Sequence, residues 1–119
     1  MRQVKSPNKS LRTLITSLRK LSKDKKVNIW SAVAENLAKP TRIRRQVNLA
    51  KLENYAKKGD TIVVPGKVLG TGKLSKSIDV AAWRFSETAF EKLNKVGKAI
   101  SIEELMKKNP TGKKIRIMG

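Results

Sequence analysis

Short apolar segments alternate with helix-start signals along residues 47 to 118, and this alternation limits the folds open to the chain. Brief β-branched segments bounded by glycine or proline are typical of strands, whereas serine followed by glutamate marks a helix start. Strands that alternate with helices across short connections form small α/β units with at least partly parallel sheets. We therefore predict strands at 47–49, 61–64, 78–85, 99–101 and 114–118, with helices at 50–58, 87–96 and 102–108.

Two of these helices begin with recognisable caps. Ser86 is placed to cap the first, and Phe85 and Phe90 are spaced as the hydrophobic staple across its start. Ser101 and Glu104 have the spacing of a capping box for the second. These signals predict where both helices begin.

Residues 1 to 40 are predicted to form a helical hairpin, followed by a small α/β domain over residues 41 to 119. Ser6 and Pro7 suit the start of the first helix, Asn28 is placed to cap the second, and Pro40 stops it. The first helix carries an apolar stripe at steps of three and four and a basic opposite face. The stripe is Leu11, Leu14, Ile15, Leu18 and Leu21, and the basic face is Lys9, Arg12, Arg19, Lys20 and Lys23.

Trp30 lies in the second predicted helix, in register with Ile29, Val33 and Leu37. This register predicts that the indole packs in the core against the first helix. The alternative is that the indole stacks on an exposed base.

The chain carries a formal charge of +19, from 28 basic and 9 acidic residues. Such a charge opposes compaction, so a polyanion that neutralises it would stabilise the bound state. Residues 1–76 hold 19 basic and 4 acidic side chains, whereas residues 77–119 hold 9 and 5. We therefore predict a nucleic-acid partner that meets mainly the first two thirds. The alternatives are an idle basic surface and, since aromatics are only 4% of the chain, a less favoured membrane-surface helix.

Cysteine and histidine are both absent, which excludes disulfides, a Cys/His zinc site, a thiol nucleophile and histidine acid–base chemistry. The acidic residues offer no convincing catalytic pair, because Glu87 and Glu91 have the spacing of an ordinary solvated helix face. Ser86 and Ser101 are explained as caps. We predict no enzymatic activity, no metal and no cofactor. No apolar run approaches the length of a membrane span, and no signal peptide is expected.

Residues 63 to 76, VVPGKVLGTGKLSK, form a glycine-lysine segment that invites comparison with nucleotide-binding loops. A Walker A loop requires glycine where Lys67 stands and a metal-binding hydroxyl where Leu74 stands. The third glycine of a dinucleotide fingerprint is also missing, since Ser75 occupies its position. We expect instead a flexible cationic loop that becomes ordered on a polyanion. The alternative is a long connection whose lysines serve solubility.

Arg42, Arg44 and Arg45 surround one apolar residue, Ile43, just after Pro40. Because guanidinium groups bind phosphate oxygens in pairs, we predict that this cluster is a phosphate clamp. The alternative is an arginine-rich linker paired with glutamates, for which few acids lie nearby in the sequence.

Three stretches carry a resemblance to a known family. They are VNLAKLENYAKKGDTIVVPGKVLGTGKL (47–74), VAAWRFSETAFEKL (80–93) and SIEELMKKNPTGKKIRIMG (101–119). In this order they resemble the large-subunit ribosomal protein eighteen-e family of archaea and eukaryotes, related to the C-terminal part of bacterial ribosomal protein fifteen. The compact length resembles the archaeal members. The match covers essentially the whole chain.

The resemblance implies a cytoplasmic, non-enzymatic protein of the ribosome, with large-subunit rRNA and neighbouring ribosomal proteins as partners, and no membrane or small-molecule substrate. A basic DNA-compacting protein and a module that binds an acidic protein remain the rival functions. The family's glycine-lysine signature falls on Gly66, Lys67, Gly70, Gly72 and Lys73, which implies that these positions face rRNA. The predicted RNA-binding set is Lys5, Lys9, Arg12, Arg19, Lys20, Arg42, Arg44, Arg45, Gly66, Lys67, Gly70, Gly72, Lys73 and Lys76.

Overall fold

The computed structural model describes residues 8–39 and 45–118, in which the chain forms five helices and five strands. The predicted α/β fold with an N-terminal helical hairpin is confirmed. The helices are α1 (Asn8–Lys25), α2 (Asn28–Leu37), α3 (Leu49–Tyr55), α4 (Glu87–Val96) and α5 (Ile102–Lys108). The strands are β1 (Arg45–Asn48), β2 (Thr61–Leu69), β3 (Asp79–Phe85), β4 (Lys98–Ser101) and β5 (Ile115–Ile117).

The strands form one sheet, and every described strand pair is parallel. β2 is central, with β3 along one side and β4 beyond β3. The other side of β2 is shared by two strands, because β1 pairs with residues 66–69 and β5 with residues 61–63. Helices α3, α4 and α5 each connect two strands, as parallel pairing requires.

The sheet separates two hydrophobic cores, which gives the molecule three layers. Ile62 and Val64 join the first core with residues of α3 and α4. Val63, between them, points to the opposite face and joins the second core with residues of α1, α2 and α5. This alternation follows from the pleat of the strand, in which successive side chains face opposite sides. The hairpin therefore shares a core with the sheet.

The hairpin packs as predicted, with one correction at its second helix. Leu14, Ile15 and Leu18 of the apolar stripe are buried, and Trp30 is 0% exposed, which confirms its place in the core. Asn28 is not the N-cap, because α2 already begins at Asn28. The cap position is held by Val27, which has no side-chain acceptor.

Strand β2 is longer than predicted. The expected end at Pro65 is wrong, because the strand continues to Leu69. Proline has no N–H for the ladder, and β2 accommodates it where the register with β3 shifts between Val64 and Lys67.

Helix α3 is shorter than predicted and ends at Tyr55 instead of residue 58. Ala56 is already extended, and the backbone N–H of Lys57 donates to Asp60 Oδ2 at 2.8 Å. Gly59, expected to end the helix, instead lies in the turn that leads to β2, with φ +88°. A side-chain hydrogen bond within this turn replaces the last helical turn.

The caps of the last two helices form as predicted. Ser86 accepts a hydrogen bond from the Ala89 N–H, and Ser101 accepts one from the Glu104 N–H. Phe85 and Phe90 meet edge to face, with ring centroids 6.1 Å apart. These caps could be predicted from the sequence because each depends on residues within one turn of the helix start.

Candidate nucleic-acid interface

The exposed face of α1 carries the predicted cations. Arg12, Arg19, Lys20 and Lys23 are all exposed. A groove of about 480 Å³ runs between α1 and the end of α2, with Arg12, Thr16 and Arg19 among its lining residues. Arg19 also lies 3.7 Å from a carboxylate oxygen of Glu35, and both side chains are more than half exposed. An exposed pair of this kind contributes little to stability, so it leaves the arginine available to another anion.

The glycine-lysine segment is divided between two structural elements, which corrects its interpretation as one loop. Gly66 and Lys67 belong to strand β2, because the strand continues through them. Gly70, Gly72, Lys73 and Lys76 lie in the connection between β2 and β3, hereafter the 70–78 connection.

The 70–78 connection packs closely on the chain's own helices. A Cβ on Gly70 would lie 2.6 Å from the Thr88 side chain, and one on Gly72 would lie 2.6 Å from the backbone nitrogen of Ala50. The Thr71 carbonyl accepts from the Ala50 N–H at 3.2 Å, and Leu74 is buried in the first core. The glycines therefore serve an approach within the molecule. The expectation that this segment needs a polyanion to become ordered is wrong, since α3 and α4 already hold it.

Side-chain hydrogen bonds complete this attachment. Glu53 on α3 accepts from both the backbone N–H and the hydroxyl of Ser75, at 3.0 and 2.7 Å. The Ser75 hydroxyl, followed by its N–H, holds the pKa of Glu53 below its ordinary value. On the other side, the Lys92 ammonium of α4 donates to the carbonyls of Gly70 and Gly72, at 3.0 and 3.2 Å.

The predicted lysines of this segment have different environments. Lys73 is exposed and makes no side-chain hydrogen bond or ion pair with the described residues. Lys76 donates to the carbonyls of Glu53 and Ala56, at 2.5 and 2.8 Å, where α3 ends. Its ammonium stabilises the last carbonyls of that helix. An RNA contact by either lysine stays a prediction.

The structure also aligns three polar residues that the sequence did not bring together: Gln46, Lys67 and Arg84. Gln46 of β1 is the register partner of Lys67 in β2, and Lys67 is the partner of Arg84 in β3. Only Lys67 belongs to the predicted set. The sequence offered one signal for Arg84, which is a cation within the otherwise apolar stretch VAAWRF. The residues beside Arg84 in the sheet depend on strand register, which the sequence does not reveal.

Five predicted RNA-binding residues lie wholly or partly outside the described part of the chain. Lys5, Arg42 and Arg44 lie outside the described residues, and so does most of the predicted arginine clamp. Lys9 lies on α1 and Arg45 on β1, but only their backbone is described.

Within the described part of the chain, no group of three or more acidic side chains could hold a metal ion. The same residues include no helix that combines the length and apolar character needed to cross a membrane.

Comparison with known proteins gives matches over the whole chain. A model of the family described as "Ribosomal protein 60S L18 and 50S L18e" matches residues 1–119. The large ribosomal subunit protein eL18 of Archaeoglobus fulgidus is 45% identical over 116 residues, which cover 97% of this chain and 99% of that protein. The protein of the same name from Methanococcus maripaludis is 44% identical over 119 residues, or 99% of each chain. That of Methanosphaerula palustris is 44% identical over 117 residues, which cover 98% of this chain and 97% of that protein.

Proposed function

Because the chain belongs to the family of ribosomal proteins 60S L18 and 50S L18e, we propose that it is a structural constituent of the large ribosomal subunit that stabilises the large rRNA by neutralising phosphates. The family is non-enzymatic. Its partners would be the rRNA and neighbouring large-subunit proteins, and its location the ribosome in the cytoplasm.

The observation that supports RNA binding most directly is the net charge of +19 in a chain of 119 residues. Few of the described cations have an acidic partner within the molecule, since Arg19–Glu35 and Arg116–Asp60 are the side-chain ion pairs found among the described residues. RNA helices hide their base edges in a deep, narrow groove, so a protein meets mainly phosphates and 2′-hydroxyls. The exposed cations of α1 suit that task, as does the predicted clamp Arg42, Arg44 and Arg45.

The first test is a salt titration of binding to fragments of large-subunit rRNA. Each neutralised phosphate adds about 0.7 to 0.9 to the slope of log affinity against log salt, so we expect a steep slope. A flat titration would overturn the mechanism. Duplex DNA is the competitor of choice, because a DNA-compacting protein would bind it as well as it binds folded rRNA. Co-sedimentation with large subunits, lost on RNase digestion, tests assembly itself.

The second test replaces Arg42, Arg44 and Arg45 together with alanine. We expect weaker rRNA binding, with a thermal midpoint close to that of the unaltered chain, because the clamp's interactions are with phosphate. A matched control replaces Lys95, Lys98 and Lys113, three exposed lysines of the last third, and removes the same charge. Unfolding of the arginine variant would show that the cluster is structural.

A further inference from the structure

Gln46, Lys67 and Arg84 form a row across strands β1, β2 and β3, hereafter the sheet row. Each precedes by one position a residue that packs in the first core, namely Val47, Val68 or Phe85. Because successive side chains of a strand face opposite sides, Gln46 and Lys67 project from the face that carries the second core. Trp83 and Phe85 pack against opposite cores although they lie two positions apart, so the alternation breaks at Arg84, and strand register places Arg84 beside Lys67.

The helices on that face leave the row partly exposed. Val63 and Ala81, on the same face nearer the start of the strands, are buried with residues of α1, α2 and α5. At the row itself Gln46 is exposed, while Lys67 and Arg84 are half-buried. The row is thus partly exposed and lies close to the carboxyl ends of three parallel strands, which is where α/β sheets commonly bind ligands.

The row concentrates charge that the molecule does not balance. Neighbouring strands lie about 4.8 Å apart, so Lys67 and Arg84 stand side by side. Among the described residues, neither forms an ion pair with a carboxylate. Like charges that face each other across adjacent strands destabilise a sheet. An anion bound between them would remove this repulsion.

Arg84 is also held in a defined orientation. Its guanidinium carbon lies 5.6 Å from the centre of the Trp83 ring, a cation–π contact. Trp83 is itself half-buried against the second core, so the ring cannot move freely. A guanidinium fixed in this way has its N–H groups arranged in advance for the paired oxygens of a phosphate.

We propose that the sheet row binds the sugar–phosphate backbone of RNA, which rests on the proposed rRNA-binding function and adds a site to it. Lys67 and Arg84 contact a phosphate, and Trp83 acts as a positioning residue for Arg84. The exposed carboxamide of Gln46 can both donate and accept, as a ribose 2′-hydroxyl does. In sequence the row adjoins the predicted clamp, since Arg45 immediately precedes Gln46.

The test compares rRNA binding by the double variant Lys67→Gln, Arg84→Gln with that of a charge-matched control, Lys95→Gln, Lys98→Gln. For the row variant we expect affinity to fall about tenfold or more. The slope of its log affinity against log salt should fall by roughly 0.7 to 0.9, which is the contribution of one phosphate contact. The control should lose much less.

Arg84→Lys should lose part of the affinity although it keeps the charge, because lysine lacks the planar fork. Lys67→Gln alone should raise or leave unchanged the thermal midpoint, which separates a binding defect from unfolding.

Tryptophan fluorescence gives a second readout. Trp30 is fully buried, whereas Trp83 is half-buried, so acrylamide should quench mainly Trp83. We expect rRNA to protect this fraction from quenching in the unaltered chain and not in the row variant. Trp83→Phe should remove the quenchable fraction and weaken binding moderately, since Arg84 loses its support.

Equal affinity and salt slope for the row variant and the unaltered chain would overturn the row as a binding site while leaving the proposed function intact. Protection of Trp83 by polyglutamate as complete as that by rRNA would overturn its assignment to RNA. Failure of the unaltered chain to bind any rRNA fragment would overturn the proposed function and this site together.

Discussion

Single residues of one type have unlike roles in this molecule, and their surroundings decide which. Lys67 is half-buried and stands beside another cation, Arg84, in the sheet, and Lys73 is exposed at the connection between β2 and β3. Lys76, by contrast, donates to carbonyls at the end of α3, and Lys92 donates to carbonyls of the 70–78 connection. In a chain so rich in lysine, the residue type alone does not separate cations that stabilise the fold from cations left for RNA.

Substitution by alanine tests why position 72 is occupied by glycine. Gly72 and Gly59 both have positive φ, +101° and +88°, so alanine at either should cost about 1 to 2 kcal/mol in backbone strain. Only at Gly72 would the new Cβ also meet backbone, 2.6 Å from the Ala50 nitrogen, whereas nothing lies within 4 Å at Gly59. We expect Gly72→Ala to lower the free energy of unfolding by about 2 to 4 kcal/mol, clearly more than Gly59→Ala. Urea denaturation measures both. Equal losses would mean that the close approach to α3 contributes nothing.

At the scale of elements, the 70–78 connection and α3 behave as one unit. The connection leaves β2, crosses the start of α3 at Ala50 and reaches its end through Lys76. Glu53, midway along the helix, holds Ser75 by two hydrogen bonds. The connection therefore has a fixed course although it contains no helix or strand.

This attachment should depend on pH. Because the pKa of Glu53 is lower in the folded chain than in the unfolded one, its carboxylate stabilises the fold above the unfolded pKa. That contribution is lost as the pH falls through the lower folded value. We expect Glu53→Gln to flatten the fall in thermal midpoint on acidification, and the exposed Glu91→Gln to follow the unaltered chain. A residual slope should remain, since the Lys57 N–H and then Arg116 lower the pKa of Asp60 as well. An unchanged acid profile for Glu53→Gln would contradict this assignment.

Elements with local signals could be predicted from the sequence, and those that depend on distant partners could not. Ser86 with Phe85 and Phe90 marks α4 because every contact lies within one turn. The prediction that β2 ends at Pro65 was wrong because β2 accommodates the proline through a register shift with β3. The basic face of α1 follows from helical periodicity. The sheet row does not, since its three members come from positions 46, 67 and 84 and meet only through strand pairing.

For the whole molecule, the excess of positive charge opposes folding in addition to the conformational entropy of the chain. The net charge of +19 is distributed over a molecule whose Cα atoms have a radius of gyration of 13.4 Å. At that size, charges on opposite faces interact whenever the Debye length is long, as it is at low salt. The free chain is therefore less stable than its cores alone would make it, and a polyanion stabilises it by removing repulsion.

We accordingly expect the thermal midpoint of the free protein to rise as sodium chloride increases from about 10 mM to 500 mM, because the Debye length shrinks from about 30 Å to a few ångströms. Calorimetry at several salt concentrations measures this. A variant with Lys67, Lys73 and Lys95 replaced by glutamine should have a weaker salt dependence. A midpoint that is flat or falls with salt would contradict the view that charge repulsion limits stability.

Two contacts can form only late in synthesis of the chain. They are the pairing of β5 with β2 and the hydrogen bond from Trp30 to Pro110. The indole N–H donates to the Pro110 carbonyl across 80 residues, and the sheet gains β5 only from residues 115–117. A helix forms in about a microsecond, whereas translation at about 5 to 20 residues per second needs roughly 4 to 16 seconds to span that distance. The hairpin of the growing chain can thus form before its tryptophan has a hydrogen-bond partner, and a chain that stops before Pro110 has no means to complete either contact.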